Sequence, residues 1–270
     1  MIRIAISGCC GRMGVRIGNL ALSDKNFFLA AGIENKNHPR LGEDLGQFLS
    51  GERLGTIIAS NCRQILENAD ILVEFSSPKA TMDHLRDCLS LKKPMVIGTT
   101  GLSEKDENKI EQASKKIAIV KSSNMSLGIN LLFGLLEDIL KKLGFYYDIE
   151  IVEAHHNKKK DSPSGTALSI AKIICKCLGL NFKKAIRYGR EGKIGPRQKK
   201  EIGIHAVRAG EIVGDHTIIF GGEGERIELT HRAQSRDAFA KGALLAAQFV
   251  YNKKKGLYDM QDVLTKQGKK

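Results

Sequence analysis

The chain has 270 residues, 42% of them hydrophobic, which is enough apolar material for one large domain or two medium ones and argues against intrinsic disorder. The formal net charge is +13, from 43 lysines and arginines against 30 acidic residues, but the basic residues are spread along the chain and aromatic residues make up only 6%. A base-stacking platform for nucleic acid is therefore not expected, and a lysine-rich surface that attracts small acidic ligands is favoured.

The first six residues predict a strand rather than a targeting signal. They lack the charged start, the longer apolar stretch and the small-residue cleavage site of a signal peptide. No later run reaches the roughly 18 apolar residues of a membrane span. We therefore expect a cytoplasmic protein.

Short apolar runs alternate with helical periodicity through the first half of the chain. The strands are predicted at Ile2–Ser7, Phe28–Ile33, Ile71–Phe75, Met95–Gly98 and Ile117–Val120, and the helices at Val15–Ser23, Lys79–Leu91 and Glu104–Lys116. Buried strands that alternate with helices predict βαβ units on a parallel sheet.

A glycine-rich segment joins the first strand to the first helix, with the spacing Gly8-x-x-Gly11-x-x-Gly14. Glycines at such a junction allow a tight turn and let the backbone approach a pyrophosphate, which the helix N-terminus attracts. The spacing differs from the standard G-x-G-x-x-G, so the motif alone is a weak match. Glu34 ends the second apolar run, where an acidic side chain can bind the adenosine ribose hydroxyls. Dinucleotide binding is therefore favoured over an ordinary glycine-rich turn.

The residues around Glu34 leave the choice of nicotinamide cofactor open. Glu34 favours NADH, whereas Arg12 and Lys36 could contact the 2′-phosphate of NADPH. Asn35 carries no charge. We expect the protein to use both cofactors.

The cysteines do not form a recognisable metal or redox motif. They stand at Cys9, Cys10, Cys62, Cys88, Cys175 and Cys177. No pair has C-x-x-C spacing, and no cysteine lies at zinc-like spacing from a histidine. We expect reduced, mostly structural thiols and no metal site.

The pattern changes near residues 124–126. The helices predicted after this point are Leu127–Leu143, Pro163–Leu178 and Ala238–Tyr251, and the strands are Asp148–His155 and several segments between Ile202 and Ala233. Two turns, Ala209-Gly210-Glu211 and Gly221–Gly224, divide the last region. Such turns predict antiparallel hairpins rather than helical crossovers.

The segment from Glu153 to Thr166 places His155 and His156 at a strand end, followed by a lysine-rich loop and a helix start. Pro163 suits a first helical turn, and Ser162 or Ser164 suits its cap. The backbone N–H groups of Gly165 and Thr166 would form an anion site. Each feature has an ordinary alternative: hydrogen-bonded structural histidines, a solvated lysine run or a plain helix start. A metal site lacks an evident third ligand, and strand neighbours point to opposite faces. The combination favours a site for a carboxylate beside a titratable imidazole.

These motifs together resemble the dihydrodipicolinate reductase family along nearly the whole chain. The matching segments are Gly8–Gly14, Gly98–Gly101, Ser123–Asn130, Glu153–His156, Lys159, Asp161–Thr166, Val207–Gly210, Ile212–Gly214, Glu228–Arg232 and Ser235-Arg236. The combination of E-A-H-H with D-x-P-S-G-T is highly specific to this family.

The resemblance implies an NAD(P)H-dependent reduction of 4-hydroxy-tetrahydrodipicolinate, or dihydrodipicolinate, to tetrahydrodipicolinate in diaminopimelate and lysine biosynthesis. It implies an α/β Rossmann-like nucleotide domain over residues 1–126, completed by a C-terminal helix over 239–270. A second α+β domain with a mixed or antiparallel sheet, over 127–238, would bind the substrate and assemble a homotetramer.

The resemblance also implies roles for individual residues. His155 would be the proton donor and acceptor, with Lys159 as its acid partner. The implied substrate ligands are His156, Gly165 and Thr166. The implied cofactor ligands are Gly8, Gly11, Arg12, Met13, Gly14, Glu34, Gly98, Thr99, Thr100, Ser122, Ser123, Asn124 and Met125. Some members carry arginine at the position of Asn35, and the absence of that arginine here argues against a strong preference for NADPH. Met125 replaces a common aromatic residue.

Two rival functions share part of this pattern. Another Rossmann-type enzyme, such as a homoserine or aspartate dehydrogenase, would share the glycine motif but not the E-A-H-H loop. A nucleotide sensor or nucleic-acid binder without enzymatic activity would explain the charge and the glycines but leave His155 and Lys159 without a role. Turnover of NADH or NADPH with the cyclic imine separates the three.

Overall fold

The computed structural model describes residues 1–267. The chain forms two compact units: unit 1 comprises Met1–Leu127 and the chain from Arg236 onward, and unit 2 comprises Gly128–Ser235. The sequence places these divisions at 126/127 and 238/239, and residues 268–270 of the predicted C-terminal segment lie outside the described residues. Across residues 1–267, every helix is too short or too polar to cross a bilayer.

The first 121 residues alternate strands and helices as predicted. The strands are β1 Ile2–Ser7, β2 Phe27–Ile33, β3 Ile58–Ala59, β4 Ile71–Glu74, β5 Met95–Ile97 and β6 Ala118–Lys121, and the helices are α1 Arg12–Leu22, α2 Leu45–Ser50, α3 Cys62–Glu67, α4 Pro78–Leu91 and α5 Glu104–Ser114. The sequence did not predict α2, β3 and α3, because each has only two to six residues and carries little periodic signal.

The middle of the chain contains three helices and five strands. They are α6 Leu127–Leu143, β7 Asp148–His155, α7 Gly165–Cys177, α8 Phe182–Ala185, β8 Ile186–Tyr188, β9 Ile202–Arg208, β10 Gly214–Gly221 and β11 Arg226–Ala233. The chain then continues through α9 Asp237–Tyr251, β12 Gly256–Tyr258 and α10 Met260–Gln267.

The sheet of unit 1 has seven strands in the order β12-β6-β5-β4-β1-β2-β3, and all its pairings are parallel. The part β3-β2-β1-β4-β5-β6 is the Rossmann order, which reverses direction beside β1. Both faces of the sheet are covered. Because neighbouring side chains on a strand point to opposite faces, Ile4 and Ile6 enter one apolar cluster with α1 and α9, and Ala5 enters another with α3, α4 and α5.

The predicted helix Ala238–Tyr251 is confirmed as α9, but the C-terminal segment implied as a helix over 239–270 is not one continuous helix. Helix α9 ends at Tyr251, and Gly256 then adopts a φ of +133°, a conformation that leaves the helical region. The chain returns as β12, which pairs in parallel with β6 at the edge of the sheet. Because β12 supplies backbone partners to that edge, the C-terminal segment extends the nucleotide sheet as well as covering it.

The sheet of unit 2 is mixed, with the strand order β11-β10-β7-β9-β8. The predicted hairpin around Gly221–Gly224 is confirmed, since β10 and β11 pair antiparallel. The predicted hairpin at Ala209-Gly210-Glu211 is wrong. Strand β9 pairs in parallel with β7 and not with β10, and β7 lies between them. The turn therefore carries the chain across the end of β7, whose alternate side chains, such as Ile149 and Ile151, fill the core against α6 and α7.

Candidate active site

The parallel sheet of unit 1 gathers the predicted cofactor residues at one edge. Gly8 follows β1, Glu34 follows β2, Gly98 follows β5 and Ser122 follows β6. In a parallel sheet the carboxyl ends of all strands leave from the same edge, and the crevice for a ligand lies where the strand order reverses. The remaining predicted ligands belong to the same connecting segments or to the start of α1.

The glycine turn after β1 is tight and brings the start of α1 close to the backbone. Gly8 has a φ of +73°, and the N–H of Gly11 donates to the Gly8 carbonyl over 3.0 Å. A Cβ on Gly14 would lie 2.1 Å from that same carbonyl oxygen, so only glycine lets α1 approach the turn. Within the described residues, no side chain caps α1 and no acidic residue stands in its first turn. Its first amides and its dipole therefore suit an anion, as the phosphates of NAD(P)H require.

A cleft of about 710 Å³ opens beside this turn. Its lining includes Gly8, Gly11, Glu34 and Lys36. The Glu34 carboxylate accepts a hydrogen bond from the Cys10 amide over 2.9 Å. The cleft thus combines the N-terminus of α1, which suits a phosphate, with a carboxylate suited to ribose hydroxyls and a lysine suited to a 2′-phosphate. Its volume is typical of ligand pockets.

The wall of this cleft that follows β4 was not predicted. The Phe75 ring lies so close to Gly98 that a Cβ on that glycine would be 2.2 Å from a ring carbon. Glu74 is fully buried, and its carboxylate lies 2.6 Å from Nδ1 of His84, a residue that lines the cleft. The only signal for this pair was an acidic residue near the end of an apolar strand, and its histidine partner is ten residues away.

The other predicted cofactor residues fall into two groups. Thr99 is buried and accepts a hydrogen bond from Thr81 over 2.9 Å, and Ser122 donates to the carbonyl of Asn124 over 2.7 Å. Met125 is 2% exposed and packs in the core of unit 1. Met13 is half-buried and packs against the same core, and Arg12, Thr100 and Ser123 are exposed. The cofactor roles of all these residues stay predictions.

In unit 2, the end of β7 places the predicted catalytic histidine beside a buried carboxylate. Glu153 and His155 lie two residues apart on the same side of the strand and are 0% and 8% exposed. Nδ1 of His155 is 2.6 Å from Oε2 of Glu153. His156 is half-buried, and its carbonyl accepts the Lys159 amide over 3.1 Å. The strand therefore gives the two histidines different surroundings.

Glu153 is the centre of a buried hydrogen-bond network. The guanidinium of Arg208, at the end of β9, donates one hydrogen bond of 2.8 Å to each carboxylate oxygen. The backbone N–H of Ser164 donates to Oε1 over 3.0 Å. Burial by itself would raise the pKa of Glu153, but the hydrogen bonds from Arg208, His155 and Ser164 outweigh it and hold the pKa below its usual value. Glu153 is therefore an ionised acceptor.

The surroundings of His155 favour its neutral form in the free protein. Burial lowers its pKa, the Glu153 carboxylate opposes this effect, and the charges of Lys159 and Arg208 lower the pKa further. The ionised carboxylate at Nδ1 assigns the proton of the neutral ring to that nitrogen. Nε2 is then the atom free to exchange a proton. A Cβ on Gly214 would lie 3.1 Å from Nε2, so a small residue there keeps this nitrogen accessible.

A second histidine, His216 on β10, supports this arrangement and was not predicted. It is 4% exposed, and its ring packs edge-on against His155 with centroids 5.2 Å apart. Its Nε2 is 2.9 Å from the Ser164 hydroxyl. Burial lowers the pKa of His216 to about 3, so it stays neutral near pH 7. His216 therefore helps to fix Ser164 at the start of α7 and does not exchange protons near pH 7.

The start of α7 and the loop before it supply the predicted anion ligands. Ser164 caps the helix by accepting the Ala167 amide over 3.1 Å, so the helix begins at Gly165. Pro163 therefore precedes the cap. The prediction that Pro163 lies in the first helical turn is wrong, because the capping residue Ser164 comes after it and the helix begins only at Gly165. Gly165 is exposed, and Thr166 is half-buried. Nζ of Lys159 forms an ion pair of 2.9 Å with Asp161. An ammonium and a helix N-terminus suit a carboxylate ligand.

Comparison with known proteins gives matches over both halves of the chain. A family described as "Dihydrodipicolinate reductase, N-terminus" matches residues 2–125, and one described as "Dihydrodipicolinate reductase, C-terminus" matches residues 128–264. The 4-hydroxy-tetrahydrodipicolinate reductase of Nitrosomonas eutropha is 47% identical over 98% of both chains. The enzyme of the same name from Syntrophus aciditrophicus is 44% identical over 98% of both chains.

Solved structures give a consistent picture. The fold is similar to that of a dipicolinate-bound dihydrodipicolinate reductase from Paenisporosarcina sp. TG-14, with a TM-score of 0.75, 26% identity and coverage of 97% of this chain and 99% of the other. GenD2 from gentamicin A biosynthesis, solved with NAD, is 12% identical with a TM-score of 0.62, over 97% of this chain and 90% of that one. This second likeness concerns the fold alone.

Proposed function

The chain belongs to the dihydrodipicolinate reductase family, and on that premise we propose that it reduces 4-hydroxy-tetrahydrodipicolinate to tetrahydrodipicolinate with NAD(P)H, in diaminopimelate and lysine biosynthesis. The observation that carries the proposal in the structure is the buried Glu153–His155 pair beside Lys159 and the start of α7. That arrangement offers a proton and a carboxylate site in the same unit. The rival functions, another Rossmann-type dehydrogenase or a nucleotide sensor, do not account for it.

Unit 1 supplies the cofactor site in this proposal. When bound, NADH or NADPH supplies the hydride that reduces the ring. The amides at the start of α1 would hold the diphosphate, and Glu34 would hold the adenosine ribose. Lys36 lines the same cleft and would meet the 2′-phosphate of NADPH. One site can thus accept both cofactors.

His155 delivers the proton that completes the reduction. After hydride addition, an enamine-like ring carbon needs a proton, and Nε2 of His155 is the atom available to give it. The lowered pKa of His155 means that the free protein holds this ring mostly neutral near pH 7. A bound dicarboxylate places negative charge near the ring and therefore favours the imidazolium. Glu153 stabilises that imidazolium through Nδ1, so substrate binding itself prepares the acid.

Lys159 and the start of α7 bind the substrate in this scheme. The ammonium of Lys159 exchanges Asp161 for a substrate carboxylate and stabilises negative charge that develops on the ring. The amides of Gly165 and Thr166 hold a carboxylate at the helix N-terminus, and His156 lies at the same strand end. Lys159 therefore acts both in binding and in the transition state.

We also propose that the protein is a cytoplasmic homotetramer assembled through unit 2. One face of the five-stranded sheet packs against α6 and α7. The opposite face carries Val152 and Ile219, which are partly exposed, and Val207, which is 44% exposed. The same face also carries the Glu150–Arg190 ion pair, and its exposed apolar side chains are stabilised when a second copy covers them. The six free cysteines fit a reducing compartment.

The decisive experiment is steady-state turnover of purified protein with the cyclic substrate and each cofactor. We expect oxidation of both NADH and NADPH that depends on the substrate. If neither NADH nor NADPH is oxidised in the presence of the substrate, the proposed function is contradicted. Turnover of homoserine instead would favour the rival dehydrogenase. Sedimentation at micromolar concentration tests the assembly, and a monomer would contradict the tetramer. DNA should bind only without sequence preference and be released as salt rises.

A further inference from the structure

Three side chains with metal-ligand atoms converge at the glycine turn of unit 1. They are Cys9 and Cys10, within the turn, and Glu34, at the end of β2. One ligand atom from each lies within 4.8 Å of the other two, and no other three His, Cys, Asp or Glu side chains meet in this way within residues 1–267. The Sγ atoms of the two cysteines are 3.9 Å apart. We propose that these side chains form a Zn²⁺ site and that a bound ion excludes the dinucleotide.

The distances suit tetrahedral zinc. Two thiolates at ~2.3 Å from one zinc ion stand about 3.8 Å apart, so Cys9 and Cys10 need almost no movement to share an ion. A carboxylate oxygen at ~2.1 Å from the ion would lie about 3.6 Å from each sulfur. The ligand oxygen of Glu34 already lies within 4.8 Å of both sulfur atoms. The Cys10 amide donates to Oε1 of Glu34 over 2.9 Å, which leaves the second oxygen as a ligand. Water completes the fourth position.

The turn holds the two sulfurs in place before any ion arrives. Cys9 is 1% exposed, and its Sγ packs so closely on β2 that a Cβ on Gly32 would lie 2.5 Å from it. Cys10 is half-buried, so its side of the cluster is open to an entering ion. The backbone between Gly8 and Gly11 is closed by a hydrogen bond of 3.0 Å. Such a preformed pair lowers the ordering cost of binding.

The donor set decides which ion is preferred. Two sulfurs and one oxygen favour Zn²⁺, and other thiophilic ions such as Cd²⁺, over Mg²⁺ and Ca²⁺, which take oxygen ligands only. Burial raises the pKa of both thiols, so each is protonated in the free protein. The ion takes the place of those protons, which leave to solvent.

Exclusion of the cofactor follows from Glu34, and this step rests on the proposed function. The same carboxylate that would bind the ribose hydroxyls of NADH would be engaged by the ion. The ion and its water would also occupy the turn against which the cofactor approaches. Zn²⁺ should therefore inhibit competitively with respect to NADH, in contrast to a metal that damages the fold.

The first test titrates the cofactor-free full-length protein with Cd²⁺ and follows the ultraviolet absorption of thiolate-to-metal charge transfer. We expect one ion per chain, displaced by Zn²⁺. Cys10→Ser keeps the size of the side chain but removes a sulfur, and should weaken binding by at least the ~10–100-fold that loss of a supporting contact costs. Cys177→Ser, which alters an exposed thiol in unit 2, is the matched control and should bind as the wild type does. An absent band, or an equal band in Cys10→Ser, overturns the site.

The second test measures the Kd of NADH by fluorescence at increasing Zn²⁺. The apparent Kd should rise in proportion to Zn²⁺ in the wild type and in Cys177→Ser, and stay constant in Cys10→Ser. An unchanged Kd in wild-type protein with Cd²⁺ or Zn²⁺ bound at the cysteines overturns the exclusion. If NADH fails to bind in the absence of any metal, the proposed function is contradicted instead, so the two failures are distinguishable.

Discussion

Replacing Glu153 by glutamine tests whether the buried carboxylate prepares His155 for proton transfer. The substitution keeps the shape of the side chain and removes its charge. Both carboxylate oxygens accept donors, with Oε2 facing His155 and Arg208 and Oε1 facing Ser164 and Arg208. Wherever the new NH₂ group points, it meets another donor. The imidazolium of His155 therefore loses the partner that stabilises it.

The magnitude follows from the hydrogen bond that is lost. A hydrogen bond to a charged group contributes roughly 1.5–3 kcal/mol, which corresponds to about 1–2 pKa units at 1.36 kcal/mol per unit. The pKa of His155 should fall by that amount, because Glu153 is the group that opposes the effect of burial. A proton donor is active below its pKa and is lost as pH rises through it. In Glu153→Gln the alkaline limb of the kcat profile should move to lower pH by about 1–2 units, and kcat on that limb should fall about 10–100-fold.

The assay is kcat against pH for both proteins, with thermal unfolding as a measure of folding. Glu150→Gln is the matched control. Glu150 lies on the same strand, on the opposite face, and pairs with Arg190 over 2.7 Å and with Arg197 over 3.0 Å. That variant should lose stability and keep the pH profile of the wild type. A folded Glu153→Gln protein with an unchanged profile would refute the role of Glu153.

The remaining predictions concern catalysis, cofactor choice and stability. His155→Ala should lower kcat by about 10²–10⁴-fold, and Lys159→Ala should do the same and also raise KM for the dicarboxylate, while both keep normal NADH titrations; near-normal turnover in both variants would refute the assigned acid. NADH and NADPH should differ by less than about tenfold in kcat/KM, which corresponds to ~1.4 kcal/mol. Glu34→Ala should weaken NADH binding more than NADPH binding. A hundredfold preference for one cofactor in the wild type would contradict the use of both. Gly14→Ala should abolish cofactor binding, since its Cβ would lie 2.1 Å from the Gly8 carbonyl; retained NADH affinity by fluorescence would contradict the geometry of the turn. Hydrogen bonds from Arg190, His205 and Arg197 overcome burial and lower the pKa of Glu150 from 4.5 to about 2, so its stabilising contribution is complete above pH 4.5 and is lost as pH falls through about 2. Acid unfolding of Glu150→Gln should therefore show a weaker pH dependence between those values.

The sequence determined the local features of this protein well. Helix α6 and strand β7 have the predicted bounds, because a long amphipathic run and an alternating run each carry a clear period. The glycine turn was also predicted, and Ser164 is one of the two residues proposed as the cap, since both features depend on residues close together in the chain. The E-A-H-H segment contained Glu153, but its role was not evident, because the alternation of a strand does not show which of its two faces is buried.

Only the tertiary structure decided which distant groups meet. Arg208 stands 55 residues from Glu153, and His216 stands 52 residues from Ser164, yet these contacts set the charge and orientation of His155. They depend on β7 lying between β9 and β10, which the turn at 209–211 did not indicate. Cys10 and Glu34 meet across 24 residues because β1 and β2, which precede them, are neighbours in the sheet of unit 1. Local periodicity specifies the type of each element, whereas strand order is set by how whole elements bury their apolar faces against one another, and no short segment records that choice.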